Sequence, residues 1–177
     1  LLMGIGGLLF MMITFSDNPA TLRLQELART GTAIHAWPAA HDPVHTRVNS
    51  RTAGRETPKE LFGWGQTTPR EMAELLVTVR QGRAGTEAAC QEMRRILSRT
   101  YWDGEALSEL PPEVAALSKQ GAVSHSRSEV VLVHAPAGDY VFCVITKNQV
   151  DTSWERDNAG YKLLRAVSRT LWQHFEP

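Results

Sequence analysis

The sequence predicts a mixed α/β (α+β) fold, an antiparallel sheet covered by a C-terminal helix, with an all-helical lobe attached. Three observations carry this expectation. Apolar residues recur at helical spacing through much of 1–112, interrupted by one long irregular stretch at 32–67. From Val114 onward β-branched runs appear at 129–134 and 140–146, joined by Ala-Pro-Ala-Gly-Asp as a hairpin would be. Helical spacing then returns from about Ser153 to Phe175. Helices grouped ahead of strands, with one helix closing the chain, suit a sheet packed on helices beside a helical lobe. A chain of 177 residues can bury one substantial core, so 1–177 reads as one body, with 1–112 mostly helical and 113–177 strands and helix.

Composition excludes some functions. Nineteen basic and nineteen acidic residues leave no net charge, so there is no electrostatic case for nucleic acid or an anionic membrane as partner. Cys90 falls in a helical pattern and Cys143 in a strand. They can pair only if the fold brings their Cα atoms close, and buried free cysteine is common.

The elements follow in order. Residues 1–15 are apolar throughout, yet fifteen residues fall short of the roughly 18–20 that cross a bilayer, and no basic leader or small-residue cleavage site accompanies them. They read as a buried core helix, with a signal-peptide core as the weaker alternative. A start at Leu1 rather than Met suggests a fragment or processed product. Leu8, Leu9, Met11 and Met12 are then expected to lack cover, leaving the isolated chain marginal or prone to aggregate.

Ser16-Asp17-Asn18 is a polar turn, and Asp17 is suited to ordering it through backbone hydrogen bonds. Leu22, Leu24 and Leu27 among polar residues predict a short amphipathic helix ended by Gly31. The stretch 32–67, with Pro38, Pro43, Pro58 and three histidines, reads as a long loop of the kind that is functional or mobile. Thr68-Pro69-Arg70-Glu71 marks a helix start: Thr68 as cap, Pro69 in the first turn, Glu71 closing a capping box. Met72, Leu75, Leu76 and Val79 form its apolar stripe. After Gly82 and Gly85, Thr86 opens a helix with Ala89, Met93, Ile96 and Leu97 inward, and 102–112 is a turn-rich connection. In the final helix Tyr161, Leu164, Val167, Leu171 and Trp172 are spaced to cover a sheet.

Two polar motifs stand out. Ser16-Asp17-Asn18 follows an apolar helix, and Ser118-Lys119-Gln120-Gly121-Ala122 leads into the strands, with Asn18 and Lys119 separated by 101 positions. Together with the Thr-Thr-Pro helix start and the closing helix, the ordered set resembles the active-site pattern of penicillin-recognising serine hydrolases, notably class A β-lactamases, with their S-x-x-K, S-D-N and K-T-G signatures. The resemblance implies a β-lactamase/transpeptidase-like fold, truncated at its N-terminus. It further implies a small-molecule substrate (a β-lactam or cell-wall peptide), no cofactor, no membrane span, and a periplasmic or secreted parent protein.

By that resemblance Ser16 would pass a proton to the departing lactam nitrogen, and Lys119 would hold Ser16 poised and attract the substrate carboxylate. Asn18 would bond the substrate's acylamino group. Gln120 would bond the carboxylate, Gly121 would leave room beside the strand, and the Ala122 N–H would be one oxyanion donor. Arg127 is a second candidate anchor for the carboxylate, set against an ordinary surface charge.

Three departures follow. No Ser-x-x-Lys occurs anywhere in the 177 residues, so the nucleophile is expected upstream of Leu1 and this chain alone should not form an acyl-enzyme. The general base expected before the Thr-Thr-Pro helix would fall on Thr52, leaving the displaced Glu56 as candidate. Gln120 replaces the usual Thr or Ser of K-T-G. Three functions thus compete: a partial serine β-lactamase-like hydrolase, a penicillin-binding or cell-wall sensing domain that acylates without efficient turnover, and a non-catalytic remnant. A zinc site from His35, His41 and His45 with Asp42 is a separate alternative.

Overall fold

The computed structural model describes residues 3–29, 31–39 and 44–176, without the side chains of 36–39. Three strands form the main sheet, β3 (Ala116–Val123), β4 (Ser126–Val133) and β5 (Tyr140–Ile145), in the antiparallel order β3-β4-β5. This corrects the two-strand reading: the segment carrying Lys119 is itself a full strand, paired with β4 along its whole length. Helix α7 (Ala159–Phe175) covers one face, starting about six residues later than sequence spacing suggests. The delay has a local cause, because Asn158 caps the helix by accepting from Gly160 N while Asp151 and Ser153 hold the preceding turn.

Alternation along β4 explains how the sheet is buried. Val131 and Val133 pack with Ala106, Leu110, Val167, Leu171 and Trp172 on the α7 side. Val130 and Leu132 pack with Leu76, Leu117 and Met72 on the other, against α5 (Pro69–Arg80). A central strand covered on both faces reads as an unbroken apolar run, as Val-Val-Leu-Val does here. Truncating Leu132 to alanine would cost roughly 2–5 kcal/mol on this packing. Helix α6 (Glu87–Leu97) sits against α5 through Val79, Ala84, Cys90 and Met93. Thr68 and Thr86 cap these two helices through their hydroxyls, as their positions in the sequence imply. Both cysteines are free.

Before α5 lie α1 (Ile5–Thr14), α2 (Asn18–Leu27), α3 (Gly31–Ala39), β1 (Arg47–Val48), α4 (Glu56–Phe62) and β2 (Gly65–Gln66). Helix α1 packs on α2 and α6 but is only half covered: Thr14 alone is fully buried, and Met3 and Ile5 are exposed. The expected buried core helix is thus a partly exposed one among the described residues.

The stretch 32–67 is not the structureless loop that its prolines and glycines suggest. It holds α3, α4 and the β1–β2 pair, with Arg47 opposite Gln66. Glu71 fastens it down. Instead of closing a capping box, its carboxylate accepts from the N–H groups of Val44, His45 and Thr46 at 2.9, 2.8 and 2.7 Å, and from the Thr46 hydroxyl. Burial would raise this carboxyl's pKa, but those four donors outweigh it and hold it below its ordinary value.

Candidate active site

Helix α1 ends in a conformation that sequence alone does not reveal. Phe15 N and Asp17 N both donate to Met11 O, and Ser16 between them adopts φ 57°. That left-handed region is uncommon for a residue with a side chain and costs energy unless the surroundings enforce it. The enforcement is visible on both sides. Asp17 caps α2 by accepting from Ala20 N at 2.7 Å, which is the ordering role expected of it. The Phe15 carbonyl is held by Trp102 Nε1 at 3.0 Å, and the Thr14 carbonyl by Tyr101 N at 3.0 Å.

The turn presents the Ser16 hydroxyl to Lys119, whose ammonium donates a hydrogen bond to it across the cleft between α1 and β3. Nζ also donates to the Gln120 carbonyl at 2.5 Å. β3 is the terminal strand of the three, so one row of its backbone groups faces away from β4. Burial lowers the pKa of Lys119 and the charge of Glu129 partly restores it. An amine with lowered affinity for its proton, bonded to a hydroxyl, is equipped to relay a proton through that hydroxyl.

Gln120, Gly121 and Ala122 follow on β3, opposite Glu129, Ser128 and Arg127. A Cβ at Gly121 would come within 2.9 Å of the Ser128 hydroxyl, which itself donates to the Gly121 carbonyl, so a side chain there would have to displace that hydroxyl. Asn18 is exposed in the first turn of α2, and its amide forms no hydrogen bond among the described residues. The Gln120 side chain lines a cleft of about 530 Å³ whose other walls are Thr100, Tyr101, Trp102, Asp103, Gly104 and Glu105.

Arg127 corrects both expectations made of it. It is neither a surface charge nor an available anchor, because it is fully buried. Strand alternation turns it toward α7, the face opposite Lys119. Its guanidinium donates to the carbonyls of Val123, Ser126 and Ser153 and lies 4.5 and 4.7 Å from the ring centroids of Trp154 and Tyr161. Gly160 admits it: a Cβ there would lie 2.7 Å from Arg127 Cγ.

Glu56 is exposed at the start of α4 and accepts from Gly54 N at 3.2 Å; no hydrogen bond links it to Ser16 or Lys119. Thr52 is buried, its hydroxyl donating to Ser50 O. Of the histidine group, His35 Nε2 accepts from Val48 N at 2.8 Å, and burial lowers its pKa. His41 and Asp42 lie outside the described residues. Among those described, no three His, Cys, Asp or Glu residues are grouped to hold a metal.

The apolar helix α1 thus delivers Ser16 to a lysine on the sheet edge, and α7 packs behind that sheet. A model of the β-lactamase enzyme family matches residues 4–175. The chain belongs to that family. Among solved structures, a class A β-lactamase from Mycobacterium abscessus superposes with a TM-score of 0.82 at 14% identity, over 99% of this chain and 66% of its own. The β-lactamase from Sphaerobacter thermophilus gives 0.80 at 23%, over 95% and 62%. A mutant of PBP-A, in an acyl-enzyme complex with penicillin G, gives 0.80 at 21%, over 96% and 60%. Such identities establish the shared β-lactamase fold, of which this chain spans somewhat under two thirds of the relatives' length. No curated protein sequence matches.

One group in this β-lactamase-family site escapes the sequence motifs. Glu129 is 1% exposed on β4, where its carboxylate accepts from the Ser118 hydroxyl at 2.8 Å and from Ala106 N at 2.9 Å. Burial pushes its pKa up to about 7, opposed by those two donors; nearby Glu105 adds to the rise and Lys119 counters it. Beside it, Glu105 pairs with Arg165 of α7, and Ser168 donates to Ala106 O. A Glu ahead of Val-Val-Leu-Val reads as an ordinary strand start; only the register opposite β3 places it behind Lys119.

Proposed function

We propose that this chain carries the Ser16–Lys119 half of a serine β-lactam hydrolase site, with the acylating serine supplied by a Ser-x-x-Lys segment outside residues 1–177. The observation that carries this reading is the hydrogen bond from Lys119 to a serine in a left-handed turn. Ser16 accepts and donates, so it passes a proton from Lys119 to the departing lactam nitrogen as the acyl-enzyme forms. Lys119 meets the substrate carboxylate, Gln120 lines the cleft beside it, Asn18 meets the substrate's acylamino group, and Ala122 N–H contributes to the oxyanion site. The parent protein is periplasmic or secreted, and the substrate is a β-lactam or cell-wall peptide. No helix among the described residues is long and apolar enough to cross a membrane.

A second reading, acylation without efficient turnover as in a penicillin-binding or sensing domain, is favoured by Glu56. Its carboxylate is exposed and engaged with Gly54, away from any bond to Ser16 or Lys119. Intact-mass measurement after incubation with penicillin G tests the division of labour. The chain as it stands should keep its mass, whereas a penicilloyl adduct on it would overturn the proposal. With a Ser-x-x-Lys segment joined ahead of Leu1, an adduct that persists supports the sensing reading, and one that turns over supports the hydrolase.

A further inference from the structure

We propose that the cleft beside Lys119 is a subsite for an ammonium group of the substrate, seated in the corner between Tyr101 and Trp102 and faced by Asp103. The inference rests on the Ser16–Lys119 reading only in taking the occupant to be part of a substrate. The two rings stand at 89° with centroids 5.2 Å apart, so they meet as perpendicular walls rather than a stack. Both residues are substantially exposed, Tyr101 at 62% and Trp102 at 46%, so their rings are open to a ligand. The corner is nevertheless fixed. Trp102 Nε1 is bonded to Phe15 O, Tyr101 N to Thr14 O, and the Tyr101 ring packs on Phe15 at 5.4 Å, so the walls are tied to the segment that carries Ser16.

Charge selects the occupant. None of the seven lining residues is cationic, and two are carboxylates. Glu105 is neutralised by Arg165, while Asp103 is exposed and makes no ion pair or hydrogen bond among the described residues. Arg127 shares Gln120's face of the sheet and its charge reaches Glu105, but its guanidinium is held by the carbonyls of Val123, Ser126 and Ser153. Lys119 and Gln120 point to opposite faces of β3, which sets the lysine's charge apart from the cleft that Gln120 lines. A carboxylate entering here would meet aromatic faces and Asp103, both of which repel it. An ammonium is attracted by both, in the manner of aromatic cages for alkylammonium groups. The substrate this site favours therefore carries an amine a few bonds from the group that Lys119 engages.

Titration of the full chain with choline, with its neutral isostere 3,3-dimethylbutanol and with acetate, following the Trp102 indole N–H by NMR, tests this. Choline should shift that resonance saturably, with affinity falling about fivefold in Asp103→Asn and, followed at the Tyr101 backbone N–H, in Trp102→Leu. Both positions are exposed, and melting curves matching the parent would show that the fold is intact. Lys119→Met should leave choline binding unchanged, so loss of penicillin G binding in that variant would bear on the Ser16–Lys119 reading and not on this subsite. Equal binding of the neutral isostere, preferential binding of acetate, or no loss in either variant would overturn the subsite.

Discussion

Replacing Glu129 with glutamine should make the protein more stable at pH 8 and leave it nearly unchanged at pH 5. The carboxyl has an ordinary pKa of 4.5 and is pushed to about 7 in the fold, chiefly by burial. A folded-state value above the unfolded one means that folding takes up a proton between the two. The stabilisation from this group is complete below pH 4.5 and is lost as pH rises through about 7. At ~1.4 kcal/mol per pH unit, the window corresponds to roughly 3 kcal/mol as an upper value, since neighbouring charges relax. Glutamine keeps both hydrogen bonds available, its carbonyl accepting from Ala106 N and its amide donating to the Ser118 hydroxyl, without the charge. Urea unfolding from pH 4.5 to 8.5 should show the parent's stability declining across that range and the variant's curve flatter. Glu129→Ala, which strands both donors, should lose about 1–3 kcal/mol at pH 5. Equal destabilisation by glutamine at both pH values would refute the assignment of a buried, proton-binding carboxyl.

Other predictions follow from single contacts. Glu71→Gln should speed amide exchange of Val44, His45 and Thr46 about tenfold, because the carboxylate accepts from all three. The parent should lose the same protection as pH falls through the lowered pKa of Glu71, and exchange measured across acid pH checks the sign. Arg127→Met should cost roughly 2–4 kcal/mol in chemical unfolding, since three carbonyls lose their donor and two rings lose their cation. Gly160→Ala should also destabilise and should be milder in the Arg127→Met background, a coupling that a double-mutant cycle would measure.

Much of this was legible from residues and spacing. The caps at Thr68 and Thr86, the alternation in Val130–Val133 and the stripe of α7 are local signals, and local physics settles them. What sequence misjudged depended on distant partners. Prolines and glycines in 32–67 suggested a loop, but Glu71 supplies acceptors from outside the segment and stabilises its turns. Arg127 resembled a surface charge because nothing in Ser-Arg-Ser announces Trp154 and Tyr161 stacked on its guanidinium. Glu129 carries no local signal because its partners, Ser118 and Ala106, are chosen by strand register and by the turn ahead of β3. Even the Ser-Asp-Asn motif gave no hint that Ser16 would be held at positive φ.

The pairing of Ser16 with Lys119 can be measured by NMR titration of the chain with its lysine side chains labelled with 13C at Cε, in the parent and in Ser16→Ala. The account predicts one lysine resonance, absent in Lys119→Met, that titrates below the ordinary 10.5 and moves when the Ser16 hydroxyl is removed. A Lys119 that titrates at its ordinary value and ignores the loss of Ser16 would contradict it.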